Sequence, residues 1–256
     1  MKTESKVMAA LLAAALLLAS PGARSIEPET DESDTCVILL HGLGRTPLSM
    51  VPLQVALELA GYRTVNQGYP SRGESIEALA AAHVAEALTK CASPPDVPVH
   101  FVAHSLGGIL VRQYLQDRDL PAGSRMVMLG PPNQGSELVD RFGADSWFRV
   151  LGPAARQLGT EAGNLPSQLA PVDLEIGVIA GTRAGLDSII LQAGRLPEPN
   201  DGRVSLTSAR LEEMRDFLAV DQSHTLLLIE KQVVQQVLAF LETGRFQPVD
   251  DGSGRR

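Results

Sequence analysis

The sequence predicts an α/β fold, a mostly parallel central sheet with helices on both faces. Three observations predict it. Short, largely apolar runs recur, among them "CVILL" at 36–40, "VHFVA" at 99–103 and "MVML" at 126–129, and such runs suit strands buried on both faces. Between them lie stretches with apolar residues at helical spacing. The 256 residues, 44% of them hydrophobic, suffice to bury one full core.

In order, "CVILLHGLG" is a buried strand ending in a His-Gly turn, and "PLSMVPLQVALELAG" is a helix stopped by Gly61. "YRTVNQGYPSRG" is a second strand leaving into a Pro/Gly turn. "ESIEALAAAHVAEALTKCA" is alanine-rich and acidic at its start, both of which favour a helix. "PVHFVAH" is a strand, "LGGILVRQYLQDR" a helix and "SRMVMLGPPNQGS" a strand ending in a turn. From about Gly135 to Pro171 the alternation breaks, in a span too long for a routine connection that holds the single tryptophan, Trp147, and reads as a lid-like insertion covering a site. The pattern resumes with the strand "DLEIGVIAG", a Gly/Pro-rich loop, "DGRVSLTS", "RDFLAVDQSH" and a helical run from Thr225 to Gly244.

Ahead of this domain, Lys2 and Lys6 precede an apolar stretch from Val7 to Ala19 and a Ser/Pro/Gly break. That layout is a secretory signal peptide over residues 1–23, and its apolar run is short for a bilayer span; an uncleaved anchor is the alternative. No cysteine follows the run to accept a lipid. Residues 24–35 form a polar, acidic lead-in, 36–246 the folded domain with its insertion at about 135–171, and 247–256 a polar tail expected to be disordered. Export to the periplasm or medium makes a disulfide between Cys36 and Cys91 possible, two buried thiols being the alternative. Neither cysteine has a Cys or His at ligand spacing, so no metal and no cofactor is expected. The net charge of −8 argues against a nucleic-acid partner, because phosphate contacts need clustered Lys and Arg.

The chemistry concentrates at "AHSLGG", residues 103–108. Ser105 stands where a buried strand runs straight into a helix. A turn that sharp requires small residues two before and two after it, here Ala103 and Gly107. The pentapeptide therefore reads A-x-S-x-G in place of the commoner G-x-S-x-G. The sequence resembles the α/β-hydrolase family, specifically small secreted bacterial lipases and esterases, through "HGLG" at 41–44, "AHSLGG" at 103–108, "DG" at 201–202 and His224, over about residues 36 to 243.

A nucleophilic serine needs a base, and the base an orienting acid. Of five histidines, His41 belongs to the His-Gly turn, His83 to a helix and His100 to a strand, while His104 adjoins Ser105 with its side chain directed away. The resemblance implies His224, after the last strand, as base. Asp201 then fits the chain order nucleophile, acid, base. Asp173, Asp187, Asp216 and Asp221 are rivals, with Asp187 the closest competitor because it shares the long loop. The resemblance also implies backbone N–H groups of Leu43 and Leu106 as oxyanion donors. "HGLGRT" lacks the Lys-Ser/Thr ending of a phosphate-binding loop.

These residues imply a serine hydrolase acting on a small-molecule ester or lipid-like substrate. Trp147 and Phe148, with Phe142, Val150 and Leu151, suggest a wall for an acyl chain, or else core beneath a surface loop. Two alternatives stand beside hydrolysis: an acyltransferase using the same acyl-enzyme, and a non-catalytic lipid- or partner-binding module. Contact with a membrane surface is compatible with such a substrate. The family's sheet order would bring Cys36 and Cys91 to the same edge of the molecule, away from Ser105, which favours their pairing.

Overall fold

Consecutive side chains of a strand point to opposite faces, so a strand that is apolar at every position needs both faces covered. The computed structural model, which describes residues 33–185 and 196–248, meets that need. Its strands are β1 (Ser33–Leu40), β2 (Tyr62–Gln67), β3 (Val99–His104), β4 (Arg125–Leu129), β5 (Glu175–Gly181) and β6 (Asp216–Val220). They form one sheet in the order β2-β1-β3-β4-β5-β6, every pair parallel. Val37, Leu39, Val102 and Val127 pack with α1 (Val51–Leu59) and the C-terminal helix Lys231–Thr243 through Leu53, Leu57, Val237 and Phe240. Ile38, Leu40, Phe101 and Met128 face the other way. They meet the segments α2 (Ile76–Leu79) and α3 (Ala85–Cys91), joined by a wider turn at Ala80–Val84, and α4 (Leu106–Tyr114).

Strand order positions the site. The chain steps outward from β1 to β2, returns across β1 to place β3 on its other side, and then proceeds through β4 to β6. The loops leaving the carboxyl ends of β1 and β3 therefore diverge, and a crevice opens between them at the reversal. His41–Gly44 and Ser105 lie on its two sides. Between β4 and β5, where the alternation lapses, the insertion contains short helices α5 (Glu137–Phe142), α6 (Pro153–Arg156) and α7 (Leu165–Gln168), with a 3-10 turn at Ser146–Leu151. It is tied to the segment after β2: Ala154 N–H donates to Glu74 O (3.2 Å), and Ile76 N–H donates to Gln157 Oε1 (2.7 Å).

Some boundaries differ from the sequence expectation. β1 starts at Ser33, inside the polar lead-in, because the backbone there pairs with Tyr62 of β2, a pairing that needs no apolar side chain. The Gly/Pro-rich loop after β5 ends in a short helix, α8 (Leu206–Ala209). The helical run from Thr225 is broken, a 3-10 turn at Leu226–Leu228 preceding α9 (Lys231–Thr243). Gln247, expected in the tail, is held by Gln236, receiving one hydrogen bond at its carbonyl (3.1 Å) and donating another from its N–H (2.7 Å). The expected signal peptide, residues 24–32 of the lead-in, the rival Asp187 and residues 249–256 lie outside the described residues. No helix among the described residues is long and apolar enough to cross a membrane.

Cys36 and Cys91 form a disulfide, their Cα atoms 5.9 Å apart. Cys36 sits near the start of β1 and Cys91 ends α3, both fully buried and at the end of the sheet opposite Ser105. The bond closes a loop of 55 residues. A loop of that size restricts the unfolded chain by ~4 kcal/mol in the chain-entropy model. Reduction should therefore lower the melting temperature by roughly 10 °C, as scanning calorimetry with and without reductant would measure.

Candidate active site

β3 passes into α4 through a single residue, Ser105, whose backbone adopts φ 53°, ψ −121°. A non-glycine residue rarely takes a positive φ, and here it is held by its surroundings. Ser105 N–H donates to Leu129 O (2.9 Å), and Gly108 N–H donates to Ser105 O (3.1 Å). The turn is tight because α4 starts against β1: a Cβ on Gly107 would lie 2.6 Å from the carbonyl oxygen of Leu40. Gly42 approaches from the opposite side, where a Cβ would come within 3.1 Å of Ser105 Cβ. The turn therefore brings the backbone of residues 42–43 next to the serine. As first residue of α4, Leu106 has an N–H without a partner in the helix.

Asp201 and His224 meet across two loops. Asp201 is 1% exposed, and His224 Nδ1–H donates to its Oδ2 (2.7 Å). Asp201 Oδ1 accepts the N–H groups of Arg203 (2.9 Å) and Val204 (2.8 Å). Three donors thus compensate a carboxylate removed from water, which would otherwise be costly to bury. The backbones are joined as well, His224 N–H donating to Asp201 O (3.0 Å). With Nδ1 engaged, Nε2 is the ring nitrogen left for chemistry, and His224 lines the same cavity as Ser105. Among the described residues no hydrogen bond joins the Ser105 hydroxyl to His224. Such contacts often tighten only when substrate is bound.

The other histidines are otherwise occupied. His104 Nε2–H donates to His224 O (3.0 Å), its ring centroid 4.6 Å from that of His224. Burial, reinforced by His224 and Arg45, holds the His104 imidazole well below its ordinary pKa, so it stays neutral. His41 stacks on Tyr69 at 4.2 Å, and burial lowers its pKa too. His100 Nδ1 accepts the N–H of Arg125 at the far end of the sheet, and burial, with Arg125, pushes its pKa down to about 4. His83 is paired with Glu86. Among the rival acids, Asp173 precedes β5 and Asp216 begins β6, both at the wrong end of the sheet, while Asp221 faces Arg183.

The cavity at Ser105 has a volume of about 400 Å³. Leu138, Val139, Phe142, Trp147, Phe148 and Leu158 of the insertion line one side of it. Phe148 is 4% exposed and Trp147 45% exposed, their rings 5.6 Å apart. Leu43 also lines the cavity, and Leu106 is buried behind Ser105. Val150 faces solvent, 69% exposed, and takes no part in the wall.

Gly130 carries a role that sequence reasoning misses. It follows β4 with φ 56°, and a Cβ there would lie 2.9 Å from both Asp201 Oδ2 and His224 Nδ1. Its one sign in the sequence is a glycine directly after an apolar strand and before Pro131-Pro132. Gly130→Ala should leave the chain folded, at a cost of about 1–2 kcal/mol for the left-handed backbone. It should also displace the His224–Asp201 pair and slow labelling of Ser105 by a fluorophosphonate about a hundredfold. Timed labelling read by intact-mass spectrometry checks this, and an unchanged rate would show that the pair tolerates the methyl group.

Residues 37–242 match the family model described as the alpha/beta hydrolase family. No curated protein is significantly similar in sequence. Among solved structures, a lipase of Bacillus licheniformis in its mature form superimposes with a TM-score of 0.66 at 19% identity, over 81% of this chain and 91% of that one. A lipase-esterase related protein of Clostridium acetobutylicum gives 0.54 at 15% identity, over 82% and 95%. An esterase of a Rhodococcus species gives 0.52 at 18% identity, over 82% and 90%. At such identities the likeness is one of fold.

Proposed function

The chain belongs to the alpha/beta hydrolase family, and from that premise we propose that it is a serine hydrolase of carboxylic esters, with Ser105 as nucleophile, His224 as base and Asp201 as orienting acid. The observation that carries this reading is the buried Asp201–His224 hydrogen bond on the wall of the cavity that also holds Ser105. The lipase and esterase neighbours support it at the level of the fold.

In the proposed reaction the Ser105 oxygen attacks the ester carbonyl while His224 Nε2 takes the hydroxyl proton. Asp201, bonded to Nδ1–H, keeps Nε2 unprotonated beforehand and stabilises the imidazolium afterwards. The carbonyl oxygen, now anionic, is held by the N–H groups of Leu43 and Leu106, a contribution typically worth about two to three powers of ten per donor. Collapse expels the alcohol oxygen, which takes the proton from His224, leaving the acyl group on Ser105. Water then attacks the acyl carbon with His224 again accepting a proton, the bond to Ser105 Oγ breaks, and that oxygen takes the proton back from His224 as the acid is released. The acyl chain would lie along Phe148 and its apolar neighbours, with Trp147 at the edge. Export of the protein is part of the same proposal, supported by the Cys36–Cys91 disulfide, since such bonds persist in oxidising compartments.

Nitrophenyl esters of increasing acyl length should be hydrolysed by the wild type. Ser105→Ala should lose several powers of ten in turnover with its melting temperature unchanged within a few degrees. Asp201→Asn should lose far more activity than Asp187→Asn, because only the residue bonded to His224 sets its tautomer. A folded Ser105→Ala protein with near wild-type turnover would remove the nucleophile from the proposal, and the reverse order of the two Asp variants would move the acid to Asp187.

A further inference from the structure

The segment after β2 takes no part in the proposed reaction, yet it grips the loop that approaches Ser105. Tyr69 O–H donates to the carbonyl of His41. Two residues on, Ser71 Oγ accepts the N–H of Gly44 (2.9 Å). Both side chains are buried. Burial also raises the Tyr69 phenol above its ordinary pKa, so the proton that it donates stays in place. The segment holds its own turn, with Ser71 N–H donating to Tyr69 O (2.9 Å) and Gly73 N–H to Pro70 O (2.7 Å).

Between these two anchors lies the Gly42–Leu43 peptide. A trans peptide is planar, so its C=O and N–H point in opposite directions. The Gly42 carbonyl accepts His41 Nδ1–H (2.9 Å) and the N–H of Arg45 (3.2 Å). With its carbonyl so engaged, the peptide turns the Leu43 N–H away from those two donors. That N–H has no partner among the described residues, and Leu43 lines the cavity with Ser105. The His41 ring keeps the orientation this requires because it lies flat on the Tyr69 ring, centroids 4.2 Å apart and planes 4° from parallel. Tyr69 therefore acts on the Leu43 amide in two ways, through the stack and through the His41 carbonyl. Each peptide unit from His41 to Gly44 is held, the outer two by Tyr69 and Ser71.

We propose that Tyr69 and Ser71 are positioning residues for the oxyanion, which hold the 41–44 loop so that the Leu43 N–H faces the cavity at Ser105. The effect on turnover rests on the proposed esterase activity; the orientation of the amide does not. Two measurements on Tyr69→Phe and Ser71→Ala separate them. Tyr69→Phe keeps the ring and its stack and removes only the hydroxyl, and Ser71→Ala removes the other anchor.

The first needs no turnover. In protein carrying isotope-labelled leucine nitrogen, relaxation dispersion should show the Leu43 amide exchanging between orientations in each variant and not in the wild type. The Leu106 amide, on α4, should stay quiet in all three. The second compares nitrophenyl butyrate with its thionoester, in which sulfur replaces the carbonyl oxygen. Sulfur accepts hydrogen bonds weakly, so the thionoester draws little from the Leu43 amide. Each variant should lose about ten- to a hundredfold in kcat on the oxygen ester, with KM within about twofold, and much less on the thionoester. A general loss of packing would lower both alike. A variant with no exchange at Leu43, or with equal losses on the two esters, removes that residue from the role, and the same result in both variants overturns the proposal. Exchange at Leu43 in both variants, with neither ester hydrolysed by the wild type, upholds the positioning of the amide and removes the esterase reading instead.

Discussion

The close approach of the β3–α4 turn to β1 is the constraint on which the rest of the site depends. With no side chain at Gly107, helix α4 can begin against the carbonyl of Leu40. The same contact forces the backbone at Ser105 into its positive-φ conformation. That conformation persists because β1 and β4 hold the turn from both sides, Leu129 O accepting the Ser105 N–H. If the helix began even one residue later, the hydroxyl would leave the crevice at the strand reversal. The 42–43 backbone would then have nothing to face.

The remaining parts are built around this point by backbone more than by side chains. Asp201 takes two loop N–H groups and its own carbonyl receives the His224 N–H, so the two loops after β5 and β6 are locked in register. Gly130 allows the end of β4 to lie directly beneath the Asp201–His224 pair. His104, buried and neutral, supports His224 from behind through its carbonyl. Parts that must keep a geometry sit on these short, hydrogen-bonded turns. The apolar wall sits on the insertion, whose packing onto Arg72 is equally close: a Cβ on Gly152 would fall 2.0 Å from the Arg72 carbonyl oxygen.

The molecule thus separates its two kinds of order. A disulfide and two apolar layers secure the amino-terminal end of the sheet and its faces. The carboxyl-terminal end carries the polar groups of the site, with Asp201 and His224 compensated by specific partners. The parallel strands between the two ends keep the disulfide remote from Ser105 and the Asp201–His224 pair.

By itself the sequence determined the layered α/β architecture, because apolar runs and helical periodicity are local and a strand buried on both faces has few other ways to be satisfied. It also marked Ser105, since small residues two positions to either side of a serine at a strand–helix junction are a local steric requirement. Tertiary structure alone decided the rest. Asp201 and His224 are 23 residues apart and meet only because β5 and β6 are neighbours. Gly130 gains its importance from atoms contributed by those distant loops, and the polar residues Ser33–Thr35 become strand through pairing with β2. The meeting of Ser105, Ser136 and His224 with the apolar residues of the insertion around one cavity has the same origin. Such features depend on which loops converge in space, and local pattern carries no record of that convergence.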